Sequence, residues 1–134
     1  PPATRQLRRA IFEDAVQILE SEYSRPIKVE EVARRVATSP RQLQRVFAEV
    51  GGYRAYLTRL RLSHAADLLA SSDVTVKQVA VRVGYKDLSQ FSKAFRRTYG
   101  VSASRFSAAS RRSQSAASAA IQRAADSSGS GRTL

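Results

Sequence analysis

Val29, Val32, Ala33 and Val36 recur as Val76, Val79, Ala80 and Val83, a displacement of 47 residues, and Leu43 and Phe47 recur as Phe91 and Phe95, a displacement of 48. No other feature of the sequence constrains the fold as strongly. In each copy the apolar residues keep helical spacing over two short runs, and a turn separates the runs: Thr38-Ser39-Pro40 in the first copy, Gly84-Tyr85 in the second. Fixed spacing on both helices of both copies marks the duplication of one supersecondary unit, a pair of helices joined by a tight turn, with one residue added in the second turn.

The flanking segments extend this pattern. Leu7, Ile11, Ala15, Ile18 and Leu19 form an apolar stripe with Glu13, Asp14 and Glu20 off it, which predicts a first helix ending near Tyr23. Ser24-Arg25-Pro26 interrupts it, because the residue before a proline is pushed out of the helical region. Val29, Val32, Ala33, Val36 and Ala37 are read as the inward face of the next helix. Thr38 or Ser39 then caps a third helix that has Pro40 at its first position, buries Leu43, Val46, Phe47 and Val50, and stops at Gly51-Gly52. A longer helix, Tyr53 to Ala70, carries Leu57, Leu60, Leu62, Ala65, Leu68 and Leu69 and connects the two copies. Gly100-Val101-Ser102 closes the second copy, and a short helix with Phe106 inward is expected over 103–109. Beyond it, Ile121 and Leu134 are the only large apolar residues among Ser, Ala, Arg and Gly, so 110–134 is expected to be a basic mobile tail with transient helix over 115–125. The expected fold class is all-α: a first helical subdomain over 5–50, a connecting helix over 53–70, a second subdomain over 74–109, and the tail.

Charge narrows the partner. Lys and Arg total 23 against 11 acidic residues, a net +12. The excess is +2 over 1–50, +7 over 51–107 and +3 over 108–134. A polyanion is the partner such a balance favours, although an Arg-rich, Ala-rich sequence also follows from genomic base composition. Nineteen of the basic residues are Arg, whose planar fork suits phosphate and guanine.

Helical geometry then selects residues. With Leu43 at zero and 100° per residue, Val46, Phe47 and Val50 fall within about 60° of it, and Arg41 and Arg45 fall near 160° and 200°. Gln44 and Gln42 flank them. Arg and Gln are the side chains that read guanine and adenine edges in the major groove, and the second helix of a helix-turn-helix presents such a face. In the second copy the same count from Phe91 turns Ser89, Lys93 and Arg96 outward, with Ser92 and Gln90 at the flanks. The alternative for every one of these residues is an ordinary solvated helix surface; their equivalent placement on two duplicated units favours recognition. Thr38, Ser39 and Arg97 are candidate phosphate contacts. A connector of about 18 residues spans roughly 27 Å, comparable with the ~34 Å between successive major grooves on one face of a duplex.

Three stretches, VEEVARRVATSPRQLQRVF, YLTRLRLSHAADLL and VAVRVGYKDLSQFSKAFRRTYGVSASRF, resemble the DNA-binding domain of the AraC/XylS family of bacterial transcription regulators over roughly residues 7–107. The third is the most specific. The resemblance implies seven helices, two helix-turn-helix subdomains joined by the central helix, and asymmetric double-stranded DNA sites. By position it implies base contacts from Arg41, Gln44 and Arg45 in the first unit and from Leu88, Ser89, Gln90 and Lys93 in the second. Leu88 touches a thymine methyl at most and Ser89 is short, so the first unit is expected to carry most discrimination and the second mainly affinity. Ala103 and Gly51-Gly52-Tyr53 depart from the family pattern outside the reading helices. The resemblance further implies RNA polymerase as a second partner and an upstream ligand-sensing or dimerisation domain; the segment itself is expected to act as a monomer. Opening on Pro-Pro rather than Met, it is read as a processed chain or a piece of a longer one.

Other classes find less support. His64 is the only histidine, Asp67 and Asp73 suit surface and turn positions, and the serines have no histidine partner by pattern, so no enzyme is expected. Without cysteine there is no disulfide frame or thiolate metal site, and neither metal nor cofactor is expected. No apolar run reaches the ~18 residues of a membrane span, and a soluble, cytoplasmic protein is expected. Two binding alternatives remain: a protein-docking module whose charge is incidental, separable by a weak salt dependence, and a nonspecific DNA-packaging protein, separable by competition with random DNA.

Overall fold

A computed structural model describes residues 2–129. Among them are α1 (Pro2–Glu22), α2 (Val29–Arg35), α3 (Pro40–Ala48), α4 (Tyr53–Ser71), α5 (Val76–Arg82), α6 (Leu88–Tyr99) and α7 (Ala103–Gly129), with no strand among the described residues. The all-α class and the two helical pairs read from the sequence are both present.

The duplicated pairs close their turns with the same hydrogen bonds. The Thr38 amide donates to the Ala33 carbonyl (2.9 Å) and the Ala37 amide to the Arg34 carbonyl (3.2 Å). Their counterparts are Tyr85 to Ala80 (2.9 Å) and Gly84 to Val81 (3.1 Å). These are Schellman closures, in which one residue past the helix must be left-handed. Ala37 fills that place at φ 59° and Gly84 at φ 99°. Ala37 therefore does not belong to the inward face of α2; it is exposed at the turn, because the chain reverses there and its Cβ leaves the helical stripe.

Each pair buries its own core. Ile11, Ala15, Leu19, Val32, Ala33, Leu43, Val46, Phe47 and Leu57 form the first, and Leu62, Ala65, Leu69, Val79, Ala80, Val83, Phe91, Phe95 and Ala103 the second. Phe47 is the hub of the first, with Phe12, Tyr56 and Tyr53 rings at 5.1, 5.3 and 5.5 Å. Phe95 has the matching role, with Tyr99, Phe106 and Phe91 at 4.7, 5.5 and 5.9 Å. Full burial of each ring is worth roughly 3 kcal/mol.

Helix α4 serves both cores with different faces. Tyr53, Tyr56, Leu57 and Leu60 pack on the first core and Leu62, Ala65 and Leu69 on the second. At 100° per residue the mean directions of these two sets differ by about 160°. Its leucines, read from sequence as one set, are two half-stripes on nearly opposite sides.

Two expectations change at the ends. Leu7 is 60% exposed, so the buried stripe of α1 starts at Ile11, where α3 first covers it. Residues 110–129, expected as a mobile tail, continue α7 as helix to Gly129. Alanine favours helix without burial, the start of α7 is seated by buried Ala103 and Ser107, and the Gln114 amide donates to the Ala70 carbonyl at the end of α4. The last residues of the expected tail, 130–134, lie outside the described residues.

Candidate nucleic-acid interface

Helices α3 and α6 begin at defined caps. The Ser39 hydroxyl accepts from the Gln42 amide (3.0 Å), and Pro40 sits in the first turn where its missing N–H costs nothing. Asp87 caps α6 through its carboxylate, accepting from the Ser89 amide (2.8 Å). Leu43, Val46 and Phe47 anchor α3 from below and Phe91 and Phe95 anchor α6. With one face held by fully buried side chains, the orientation of the opposite face is fixed.

That opposite face carries the residues singled out from sequence. Arg41, Gln44 and Arg45 are exposed on α3 and Gln42 is half-exposed at its flank. Leu88, Ser89, Gln90, Lys93, Arg96 and Arg97 are exposed on α6. Ser39 is exposed, and Thr38 is half-buried in the turn. None of Arg41, Arg45, Lys93, Arg96 and Arg97 makes an ion pair among the described residues.

Elsewhere the arginines are engaged. Arg25 bridges Glu22 (2.7 Å) and Glu31, and Arg35 bridges Glu22 (2.6 Å) and Glu31 (3.3 Å). This ring of four charges ties the end of α1 to α2. Hydrogen bonds from Arg35 and then Arg25 hold the Glu22 carboxyl down at about 2. Its two positive and two negative charges cancel, so it offers a polyanion little. Two further basic residues escaped the sequence reading: Lys28 and Arg54 line one open groove together with Gln44. They flank helix starts rather than sit on a recognition helix, so periodicity could not single them out.

His64 is half-buried, not free on the connector. Its ring stacks on Tyr23 (4.2 Å, 5° between planes) and its Nε2 lies 3.2 Å from Glu20 Oε2. That is a packing role between α1 and α4.

Paired helices with a left-handed turn, capped second helices and outward unpaired cations define a helix-turn-helix protein. A family described as "Helix-turn-helix domain" matches residues 32–109, and the chain belongs to it, in its AraC-type form. It is a DNA-binding domain of a transcription regulator. It is 45% identical over 78 residues, 58% of its length, to an uncharacterized HTH-type transcriptional regulator of Mycobacterium tuberculosis, covering 23% of that protein. It is 33% identical over 71% of its length to the lactose operon transcription activator of Staphylococcus xylosus, covering 35% of that protein. Its fold matches the DNA-binding domain of AdpA, a global transcriptional factor solved in complex with a target DNA, at 28% identity and a TM-score of 0.70, covering 77% of this chain and 94% of that one. The chain thus spans about a quarter to a third of the curated relatives it matches.

Proposed function

We propose that this domain reads one asymmetric double-stranded DNA site as a single chain, with α3 in one major groove and α6 in the next. The observation that carries the reading is the pair of equivalent outward faces on α3 and α6, set at the two ends of a 19-residue connector about 28 Å long. Arg41, Gln42, Gln44 and Arg45 read bases in the first groove. Leu88, Ser89, Gln90, Lys93 and Arg96 contact the second, where Leu88 offers only apolar surface to a thymine methyl. Thr38, Ser39 and Arg97 hold phosphates, and Lys28 and Arg54 add phosphate contacts at the groove beside Gln44. The first unit supplies most discrimination and the second mostly affinity. The domain is a binding module that works in the cytoplasm without cofactor; no helix among the described residues is long and apolar enough to cross a membrane. RNA polymerase is a further partner of the whole protein, and dimerisation, where it occurs, runs through a domain outside this segment.

Selection from a random duplex library, followed by titration of the winner and a scrambled duplex at two salt concentrations, tests this. The expected result is an asymmetric motif of two short blocks about one helical turn apart, favoured over scrambled DNA by ~10³ or more. Enrichment of a single block, or binding that vanishes with salt and shows no preference, would overturn it.

A further inference from the structure

Two recognition helices reach successive grooves only if something fixes the angle between their units, and a single helix shared by two cores leaves bending and rotation open. The structure supplies a second connection. The end of α1, which belongs to the first unit, inserts beside the turn of the second. The Gly84 backbone runs so close to it that a Cβ there would stand 2.9 Å from the Ser24 carbonyl oxygen and 3.2 Å from that of Tyr23. Arg61, midway along α4, donates from Nε to the Tyr23 carbonyl (2.8 Å) and from Nη2 to the Arg25 carbonyl (3.0 Å). The Tyr23 ring packs against both cores and stacks on His64. Tyr85, next to Gly84, hydrogen-bonds Thr58 on the first half of α4.

We infer that Arg61, with the Tyr23–His64 stack, is a spacing-determining residue: it clamps the end of α1 against α4 and the Gly84 turn, and so fixes the distance at which the two DNA blocks are read. This rests on the reading that both helices engage one duplex. The chemistry suits the task. A guanidinium directs two N–H groups at two carbonyls from one rigid plane, so it sets an angle as well as a distance, which an ammonium or an amide with one usable donor direction does not. The two carbonyls belong to the segment that follows α1, where they have left the helical ladder and accept from outside. Arg61 is half-buried, and burial lowers its pKa from the ordinary value without threatening its charge. None of its bonds is to a base-reading residue, so its effect on DNA passes through the position of the second unit.

The test pairs two measurements on Arg61→Gln and the conservative Arg61→Lys. The first is affinity for the selected duplex and for versions with one base pair inserted or removed between the blocks. Wild type should lose on the order of 100-fold on either change, because simultaneous engagement is lost. Arg61→Gln should lose less than about 10-fold, and Arg61→Lys should fall between. A residue that only stabilises the fold would weaken binding to all spacings alike. The second measurement needs no DNA: a spin-label distance between Glu49→Cys and Thr98→Cys, placed uniquely because the chain has no cysteine. It should broaden in Arg61→Gln. An unchanged spacing penalty with an unchanged distance distribution, in a variant whose helix content matches wild type, would overturn the inference. A wild type indifferent to spacing would sink the two-block reading instead, and the label distance would still decide whether Arg61 fixes the joint.

Discussion

The two helix-turn-helix units share their hydrogen bonds but not their residues at the position that matters most for the turn. The first puts Ala37 in the left-handed region, facing solvent; the second puts Gly84 there, against the backbone of Ser24. A left-handed alanine is strained but fits where nothing is near. At Gly84 a side chain has neither the conformation nor the room. The same duplicated turn is thus a free corner in one copy and a contact surface in the other. The charges divide similarly: the first unit carries the Glu22–Arg25–Glu31–Arg35 ring at its back, and no ion pair is formed within α5 and α6.

The comparison can be strained first through the cores. Phe47→Ala and Phe95→Ala should each cost about 3–5 kcal/mol, since each empties the hub of a ring cluster. Thermal melts that show one transition in both variants would mean the units are held as one body; a second transition in either would separate them. Gly84→Ala should follow at about 2 kcal/mol or more, from left-handed strain and the approach to Ser24, read as a lowered midpoint in urea. Next come the reading faces. Arg45→Ala should cost about 1–3 kcal/mol and relax preference at one base position, whereas Lys93→Ala should weaken all sequences evenly and make the salt slope shallower by about 1. Equal relaxation of base preference by the two would end the division of labour between units. Ala37→Gly should stabilise by less than about 1 kcal/mol, because relief of strain is offset by a looser unfolded chain; a loss would show that Ala37 makes contacts its exposure hides.

The smallest effect concerns acid. The Glu22 carboxyl is held at about 2 against an ordinary 4.5. Its contribution is therefore complete above about 4.5 and fades as pH falls toward 2. The ring is solvent-exposed, so salt should weaken it further. Amide exchange near α2 should rise in that window before exchange near α5, and Glu22→Gln should remove the difference.

Much of this organisation was legible because period and turn chemistry are local. Val29 to Phe47 and Val76 to Phe95 announce their helices, their inward faces and, by subtraction, the outward Arg41, Arg45, Lys93 and Arg96. What escaped depends on partners far away in sequence. Leucines in α4 look like one stripe until two cores claim them from opposite sides. Arg61 reads as another surface cation, yet its partners are carbonyls of Tyr23 and Arg25, and a carbonyl has no sequence signature. His64 seemed a solvent-facing residue, and only the arrival of α1 gives it Tyr23. Residues 110–129 lack the large side chains that burial arguments need, so a helix supported by alanine and seated at its start did not stand out.

The way α4 is shared has a bearing on how such domains are cut and recombined. Between the two units there is no loop for a protease to nick and no surface seam along which one half could be exchanged for a relative's. The natural splice point lies inside the helix, between Leu60 and Leu62, where the apolar side changes hands. A chimera joined there keeps each half-helix on its own core and inherits the joint at Arg61 from whichever parent supplies it, so half-site identity and half-site spacing become separately heritable.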